Sequence, residues 1–314
     1  MNEITVSICC ITYNHEKYIE EAINSFLNQK TNFRYEIVVS NDCSTDNTQL
    51  VINKFKEKFP NLIKDVSPKE NLGSIKNFYH TLNACTGKYI AYCEGDDYWT
   101  DEYKLQKQVD FLEKNASYGL CYTRSKKYIQ RKHRFLNKSF GSDKCNYKDI
   151  LFADLIPTQT ILFSNDIYRQ YYSEIDPLSK NWYMGDLPLL LFFSIKSKIY
   201  YLNEITSVYR VLEFSSSHNK DFEKSKNFLT SSKIVKSFFV KKYSLEYDMN
   251  QIESRYIYNL YMKAFLLNDY KNFKIYYAQR KENESFKKTI ILNYMAKSKI
   301  LFKTIRFFYF MNNA

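Results

Sequence analysis

Along residues 1–100, short apolar runs alternate with amphipathic helical patterns, and every apolar run stops at a polar or acidic turn. Alternation at this spacing is the mark of βαβ units, whose right-handed crossovers lead to an α/β fold with a parallel sheet covered by helices. Val6-Ser7-Ile8-Cys9-Cys10-Ile11 reads as a buried strand that ends at Thr12-Tyr13-Asn14-His15. Ile19, Ala22, Ile23, Phe26 and Leu27 follow at the spacing of one buried helical face. A second strand, Glu36-Ile37-Val38-Val39-Ser40, ends at Asn41-Asp42-Cys43-Ser44-Thr45-Asp46. Ser44 or Thr45 is expected to cap the next helix, with Asp46 also read as a capping residue, and Pro60 interrupts that helix. A weaker strand is expected over 62–66, and a helix over 75–84 after the turn Asn71-Leu72-Gly73-Ser74.

The fourth apolar run, Tyr89-Ile90-Ala91-Tyr92-Cys93, stops abruptly at Glu94-Gly95-Asp96-Asp97 and meets Tyr98-Trp99. Carboxylates crowded at the end of a buried strand repel one another unless a cation or a set of donors neutralises them. The pattern therefore suggests a hard divalent ion, Mn2+ or Mg2+, with oxygen ligands and a bound diphosphate. Asp alone also favours turns, so the acids gain meaning from their position. Ligands of open parallel sheets bind beyond the carboxyl ends of the strands, and Thr12, Asp42 and Asp96-Asp97 all fall there. One crevice is expected to gather them.

Farther along, a helix is expected over 105–112, a strand over 120–123 and another over 158–163. Residues 124–138 are basic and polar, as in a mobile loop or an edge ribbon. Trp182-Tyr183-Met184-Gly185-Asp186 leads into an apolar helix over 187–195, and two short strands are expected at 199–202 and 207–210. After Ser215-Ser216-Ser217 the pattern is helical and basic, with no Pro or Gly through Ala314. The domain division is expected at 1–215 and 216–314.

The net charge of +12 is concentrated in the tail, where the segment from Lys271 onward holds ten Lys and Arg against Glu282 and Glu284. There, apolar residues such as Ile300, Leu301, Phe307 and Phe308 interleave with Lys297, Lys299, Lys303 and Arg306. This suits a helix lying on an anionic membrane, such as the inner face of the plasma membrane, or one packed on the preceding domain or another subunit of an oligomer. A nucleic-acid partner is not expected, because the cations avoid any interleaved stacking platform and an acidic crevice repels phosphates. The seven cysteines show no CxxC spacing and most lie in apolar runs, so reduced thiols and a cytoplasmic location are expected. Neither a secretory leader pattern nor an apolar stretch of about 20 residues is seen.

These segments, in this order, resemble the family 2 glycosyltransferases of the GT-A fold, a Rossmann-like nucleotide-diphospho-sugar transferase domain here followed by a helical extension. The resemblance rests on Thr12-Tyr13-Asn14, Asn41-Asp42, Asn71-Leu72-Gly73, Gly87-Lys88-Tyr89-Ile90-Ala91, Glu94-Gly95-Asp96-Asp97-Tyr98-Trp99 and Gly185-Asp186. It implies inverting transfer of a sugar from a nucleotide donor to a hydroxyl of a glycan or lipid-linked acceptor, as in bacterial surface polysaccharide synthesis. It further implies that Thr12 and Asn14 contact the nucleotide, with Tyr13 stacking, and that Asp42 accepts from uracil N3–H, pointing to a UDP-sugar. Gly73 belongs to the same donor site. Asp97 would hold the metal, Asp96 the ribose or a metal-bound water, and Asp186 would act as general base. Lys76 and Arg210 would touch phosphate, and His218 would approach the metal or diphosphate. Three positions depart from the usual pattern: Asn41, Glu94 and Gly185 stand where the family often has Asp, Asp and Glu. A sugar-nucleotide nucleotidyltransferase is the alternative enzyme class, but it calls for a Gly-rich basic loop where this chain has Thr12-Tyr13-Asn14-His15-Glu16-Lys17.

Overall fold

The apolar runs become strands because each is covered on both faces. β1 (Val6–Thr12) and β4 (Tyr89–Tyr92) are buried almost throughout, and β2 (Tyr35–Asn41) over its second half. The computed structural model describes residues 3–153, 155–212, 220–280 and 286–313. Between these strands lie α1 (Ile19–Leu27), α2 (Thr48–Lys58), β3 (Ile63–Asp65) and α3 (Ser74–Ala84). The chain continues through β5 (Tyr98–Trp99), α4 (Lys104–Lys114), β6 (Tyr118–Ile129), β7 (Arg134–Phe135), α5 (Tyr147–Phe152) and β8 (Leu162–Ser164). Then come α6 (Asn165–Ile175), α7 (Asp186–Lys196) and β9 (Lys198–Val211).

The sheet order is β3-β2-β1-β4-β8-β6-β9-β5, with β7 paired to β6. β1 to β4 are parallel and in register, Thr12 opposite Asn41 and Cys9 opposite Tyr92, so their carboxyl ends share one edge. β8 runs antiparallel to β4 and β6, and β5 antiparallel to β9. Val6, Ile8, Cys10, Ile23, Phe26, Ile37, Val39 and Leu105 belong to one core cluster under α1, α2 and α4.

The structure departs from the sequence expectations at several points. Residues 158–160 form a short 3-10 turn rather than the start of a strand, because Thr160 donates both its N–H and its hydroxyl to Pro157 O. The two short strands expected at 199–202 and 207–210 are one strand of 14 residues, since β9 pairs with β6 on both sides of the polar stretch, which forms an irregular bulge between Tyr201 and Ile205. α5 and α6 were not legible. α5 begins with a reciprocal capping box between Asn146 and Asp149, and at α6 the Ser164 hydroxyl accepts from Ile167 N–H. Neither Ser44 nor Thr45 caps α2. The N-cap is Asn47, whose side chain makes no capping bond, and Asp46 one residue earlier takes Thr48 N–H at 3.0 Å on one oxygen and Glu16 N–H at 3.1 Å on the other.

One buried cation supports the floor of the acidic loop. Lys104 opens α4 with no exposure, donates to Gln108 Oε1 at 2.8 Å, and lies 4.1 Å over the Trp99 ring. Burial lowers its pKa to about 7. Trp99 itself is buried, with its indole N–H on Gln159 O at 2.8 Å, so it packs the loop rather than lining a crevice.

The chain divides into two compact units, Met1–Glu213 and Phe214–Ala314. The second holds α8 (Phe222–Lys242), α9 (Met249–Leu266), α10 (Tyr270–Ala278), α11 (Phe286–Lys297) and α12 (Lys299–Asn313). Its core is aromatic, built on Tyr261, Phe265, Phe273, Tyr277 and Phe302. Among the described residues no helix is long and apolar enough to cross a membrane.

Candidate active site

The acidic turn is pinned from three sides. Cys93 N–H donates to Cys9 O, Gly95 N–H to Ile11 O at 2.9 Å, and Asp97 N–H to Glu94 O, which ties the turn to the end of β1. Gly95 allows this approach: a Cβ there would lie 2.6 Å from Thr12 Oγ1 and 2.8 Å from Ile19 Cδ1. From the other side β9 brings Arg210, whose backbone N–H donates to Asp97 Oδ1 at 2.7 Å. Its guanidinium donates to Asp96 O at 2.6 Å and pairs with Glu21. Tyr18 and Tyr98 bracket it, with ring centroids 5.1 and 4.7 Å from the guanidinium carbon.

The two aspartates therefore face different surroundings. Asp97 is 2 % exposed and bound to β9, whereas the Asp96 side chain is 13 % exposed and its Oδ1 has no hydrogen-bond partner. His15 Nε2 lies 3.9 Å from Asp96 Oδ2, and His15 Nδ1 and Thr12 Oγ1 are likewise buried without partners. Glu94 accepts from the Tyr92 hydroxyl at 2.9 Å.

Burial pushes all of these acids up, and mutual repulsion adds to it for Glu94 and Asp97. Burial first, then the charge of Asp96, raise Glu94 to about 7, and burial raises Asp96 to about 6 against the pull of Arg210. Asp97 is raised by burial and by the charges of Asp96 and Glu94. Burial lowers His15, which keeps its imidazole neutral at pH 7.

Asp186 is the first residue of α7, and its Oδ1 accepts Leu187 N–H at 2.8 Å. Burial raises its pKa, and its charge is among the causes that raise Glu94, Tyr92 and Tyr79, so it lies within electrostatic reach of the acidic turn. The helix start is set by Tyr79 and by Phe78, which lies where a side chain at Gly185 would go.

The remaining sequence candidates form a second group at the ends of β1 and β2. Asp42 is 3 % exposed, and its two oxygens accept Leu72 N–H at 2.7 Å and Gly73 N–H at 2.9 Å. Gly73 has φ +81°, in the region that favours glycine. Asn14 Oδ1 accepts Thr45 N–H at 2.8 Å, so this amide braces the two loops against each other. Tyr13 is 45 % exposed beside it. Lys76 is exposed on the first turn of α3. Arg210 is buried in the contacts above. His218 lies outside the described residues.

Sequence reasoning passed over His15 because it shows no ligand spacing to other histidines. Its place directly after Thr12-Tyr13-Asn14 was the available signal. Glu21 and Tyr92 carried none.

No group of three His, Cys, Asp or Glu among the described residues forms a ready cage for a metal. The turn nevertheless fits a hard cation that takes its other ligands from a substrate, because the unpartnered Asp96 Oδ1 and the repulsion that Glu94 and Asp97 feel both call for positive charge.

The solved structures that this chain resembles are GT-A glycosyltransferases, which shows the fold. S. aureus TarS 1-349 in complex with UDP-GlcNAc gives a TM-score of 0.55 at 17% identity, covering 98% of this chain and 92% of that one. The mannosyltransferase PcManGT from Pyrobaculum calidifontis, in complex with GDP-Man and Mn2+, gives 0.58 at 15% identity, covering 97% and 83%. The Glycosyl transferase family 2 model matches residues 7–175, and the chain belongs to that family. The putative teichuronic acid biosynthesis glycosyltransferase TuaG of Bacillus subtilis is 25% identical over 80% of this chain and 97% of its own length. An uncharacterised protein of Mycobacterium tuberculosis is 31% identical over 65% of this chain, which spans 58% of that relative.

Proposed function

We propose that this chain transfers a sugar, a hexosyl or N-acetylhexosaminyl group, from a UDP-sugar to a hydroxyl of a glycan or lipid-linked acceptor in polysaccharide assembly, with inversion. The observation that carries this reading is the acidic turn itself, in which Asp96 offers a buried, unpartnered carboxylate oxygen beside Glu94, with Asp186 within electrostatic reach. Family membership and the nucleotide sugars bound by TarS and PcManGT support it.

In this reading Asp96 would hold the Mn2+ or Mg2+, with Asp97 behind it as a positioning residue that locks the turn to β9. Thus the two acids take parts opposite to those implied by the family resemblance. Held there, the cation would supply positive charge to offset that of the departing diphosphate. His15 and Thr12 would present their unpartnered polar atoms to the donor. Asp42, whose oxygens each keep a free lone pair, would accept from the base, with Tyr13 stacking on it and Asn14 and Gly73 shaping its pocket. Lys76 would meet phosphate from the edge. Asp186 would take the acceptor proton, its raised pKa bringing it nearer working pH, as suits a base.

The test combines donor binding with pH. Carboxyls whose folded pKa is raised, such as Glu94 at about 7 against 4.5 and Asp96 at about 6 against 3.8, favour the folded state while protonated. Without metal, their contribution to stability therefore falls as pH rises from about 4 to 7. A cation competes with those protons, so the rise in melting temperature caused by Mn2+ is expected to be small at pH 5 and to grow through pH 7.5. UDP should then bind only with metal present. A Mn2+ effect that is flat with pH, together with no binding of any UDP- or GDP-sugar, would overturn the reading.

The second unit is proposed to bring the enzyme to an anionic membrane surface where a lipid-linked acceptor lies. α12 exposes Ile300, Phe307 and Phe308 in a segment that also carries Lys299 and Lys303. Replacing both phenylalanines, Phe307→Ser and Phe308→Ser, is expected to weaken cosedimentation with phosphatidylglycerol vesicles about tenfold or more, since each buried ring contributes about 1.5–3 kcal/mol. Unchanged sedimentation would reject the membrane contact.

A further inference from the structure

Of the two forms its composition allowed, the segment 124–138 takes the ribbon rather than the loop. β6 extends through Ile129 and turns back as β7, with Tyr128 opposite Phe135 and Ile129 opposite Arg134, to form a two-stranded ribbon. It carries seven Lys and Arg and no Asp or Glu. The whole unit Met1–Glu213 holds 27 Lys and Arg against 26 Asp and Glu, so outside the ribbon the unit is net acidic. The positive charge is therefore local. Phe135 and Leu136 are exposed at 48 % and 38 %, and Lys126 lies 5.9 Å over the Phe135 ring.

Sheet register fixes where this ribbon stands. Arg210, whose N–H holds Asp97, pairs with Tyr128 across β9 and β6, and Tyr128 pairs with Phe135 across β6 and β7. At about 4.8 Å per strand, Phe135 lies within about 10 Å of Arg210. Asp42 and Gly73 mark the opposite half of the crevice, at the end of β2. α7 touches β6 and β9, while its start at Asp186 lies against Phe78 and Tyr79 of α3. The ribbon thus stands at the Arg210–Asp97 corner of the site, away from Asp42 and Gly73.

On the reading of this chain as a transferase, we infer that the ribbon recruits an anionic acceptor, a glycan or polyol chain bearing phosphate or carboxylate groups. A crevice lined by Glu94, Asp96, Asp97 and Asp186 repels such a chain, and the cations at its rim offset that repulsion and steer the acceptor in. Exposed Phe135 adds an apolar face for a sugar ring. A neutral acceptor would gain nothing from this charge.

The test uses the full chain with three fluorescent probes: tetragalacturonate, a glycerol phosphate oligomer and uncharged maltotetraose. Anionic probes are expected to bind at least tenfold tighter than maltotetraose, and to weaken about tenfold between about 50 and 300 mM NaCl. The triple variant Lys126→Gln, Lys132→Gln, Lys138→Gln should lose about tenfold for the anionic probes and leave UDP binding unchanged, while the matching Lys→Arg triple variant keeps both. Comparing the two anionic probes tells phosphate from carboxylate. Equal binding of maltotetraose, an undiminished Gln variant, or a larger loss toward tRNA or anionic vesicles than toward the anionic probes would overturn the inference. If UDP itself fails to bind, the transferase reading falls. If UDP binds and the anionic oligomers do not, the ribbon inference falls alone.

Discussion

Asp186→Asn is expected to lower kcat about a thousandfold while leaving the affinities for UDP and Mn2+ within about twofold of the parent protein, the separation that a general base predicts. The change is conservative where it matters for structure. The amide oxygen of Asn still accepts Leu187 N–H, which Asp186 now does at 2.8 Å, so the start of α7 stays in place against Phe78 and Tyr79. Only the capacity to take a proton is lost. Steady-state transfer assays and titration calorimetry with UDP check the two halves separately. A loss of UDP binding as large as the loss of turnover would place Asp186 in the donor site, and a kcat within tenfold of the parent would remove it from the chemistry.

Asp96→Asn is expected to act on the other half. Its carboxylate is the partly exposed one, with an oxygen that nothing in the protein satisfies, so neutralising it should weaken Mn2+ binding at least about a hundredfold, since even outer partners of a metal are worth tenfold to a hundredfold. Metal-dependent UDP binding should fall with it. Asp97→Ala should instead show up first in stability, because Arg210 N–H would lose its partner in a buried setting, at a cost of about 1–3 kcal/mol. Mn2+ titration by electron paramagnetic resonance, read beside thermal melts, separates the two. If Asp96→Asn keeps its Mn2+ affinity and Asp97→Asn loses it, the assignment of the pair is reversed.

Much of the catalytic unit could be read from the residues, for a definite reason. β1, β2 and β4 are buried on both faces, so their apolar runs stand out, and the polar residues that end them mark the crevice. What stayed hidden depends on partners far away in sequence. Asp96 and Asp97 are chemically identical neighbours, and only Arg210, more than a hundred residues on, tells them apart. Asn14 and Asp42 looked free for a ligand because the loops that they brace cannot be seen from one strand end. β9 was cut in two because Asn203 and Glu204 break its apolar pattern, although β6 pairs with the strand again from Ile205 onward. α6 was lost because its buried side includes Tyr168 and Tyr171, residues that a strand would use equally well.

β9 has one more implication. Because a single uninterrupted strand joins the aspartate turn to the lysine-rich hairpin, a change at the hairpin tip is buffered from the reaction centre by paired backbone rather than transmitted through a hinge. On the role inferred for the hairpin, such a scaffold would let descendants exchange one recipient polymer for another by rewriting its side chains, while the acidic turn proposed to act on the sugar–phosphate bond is inherited intact.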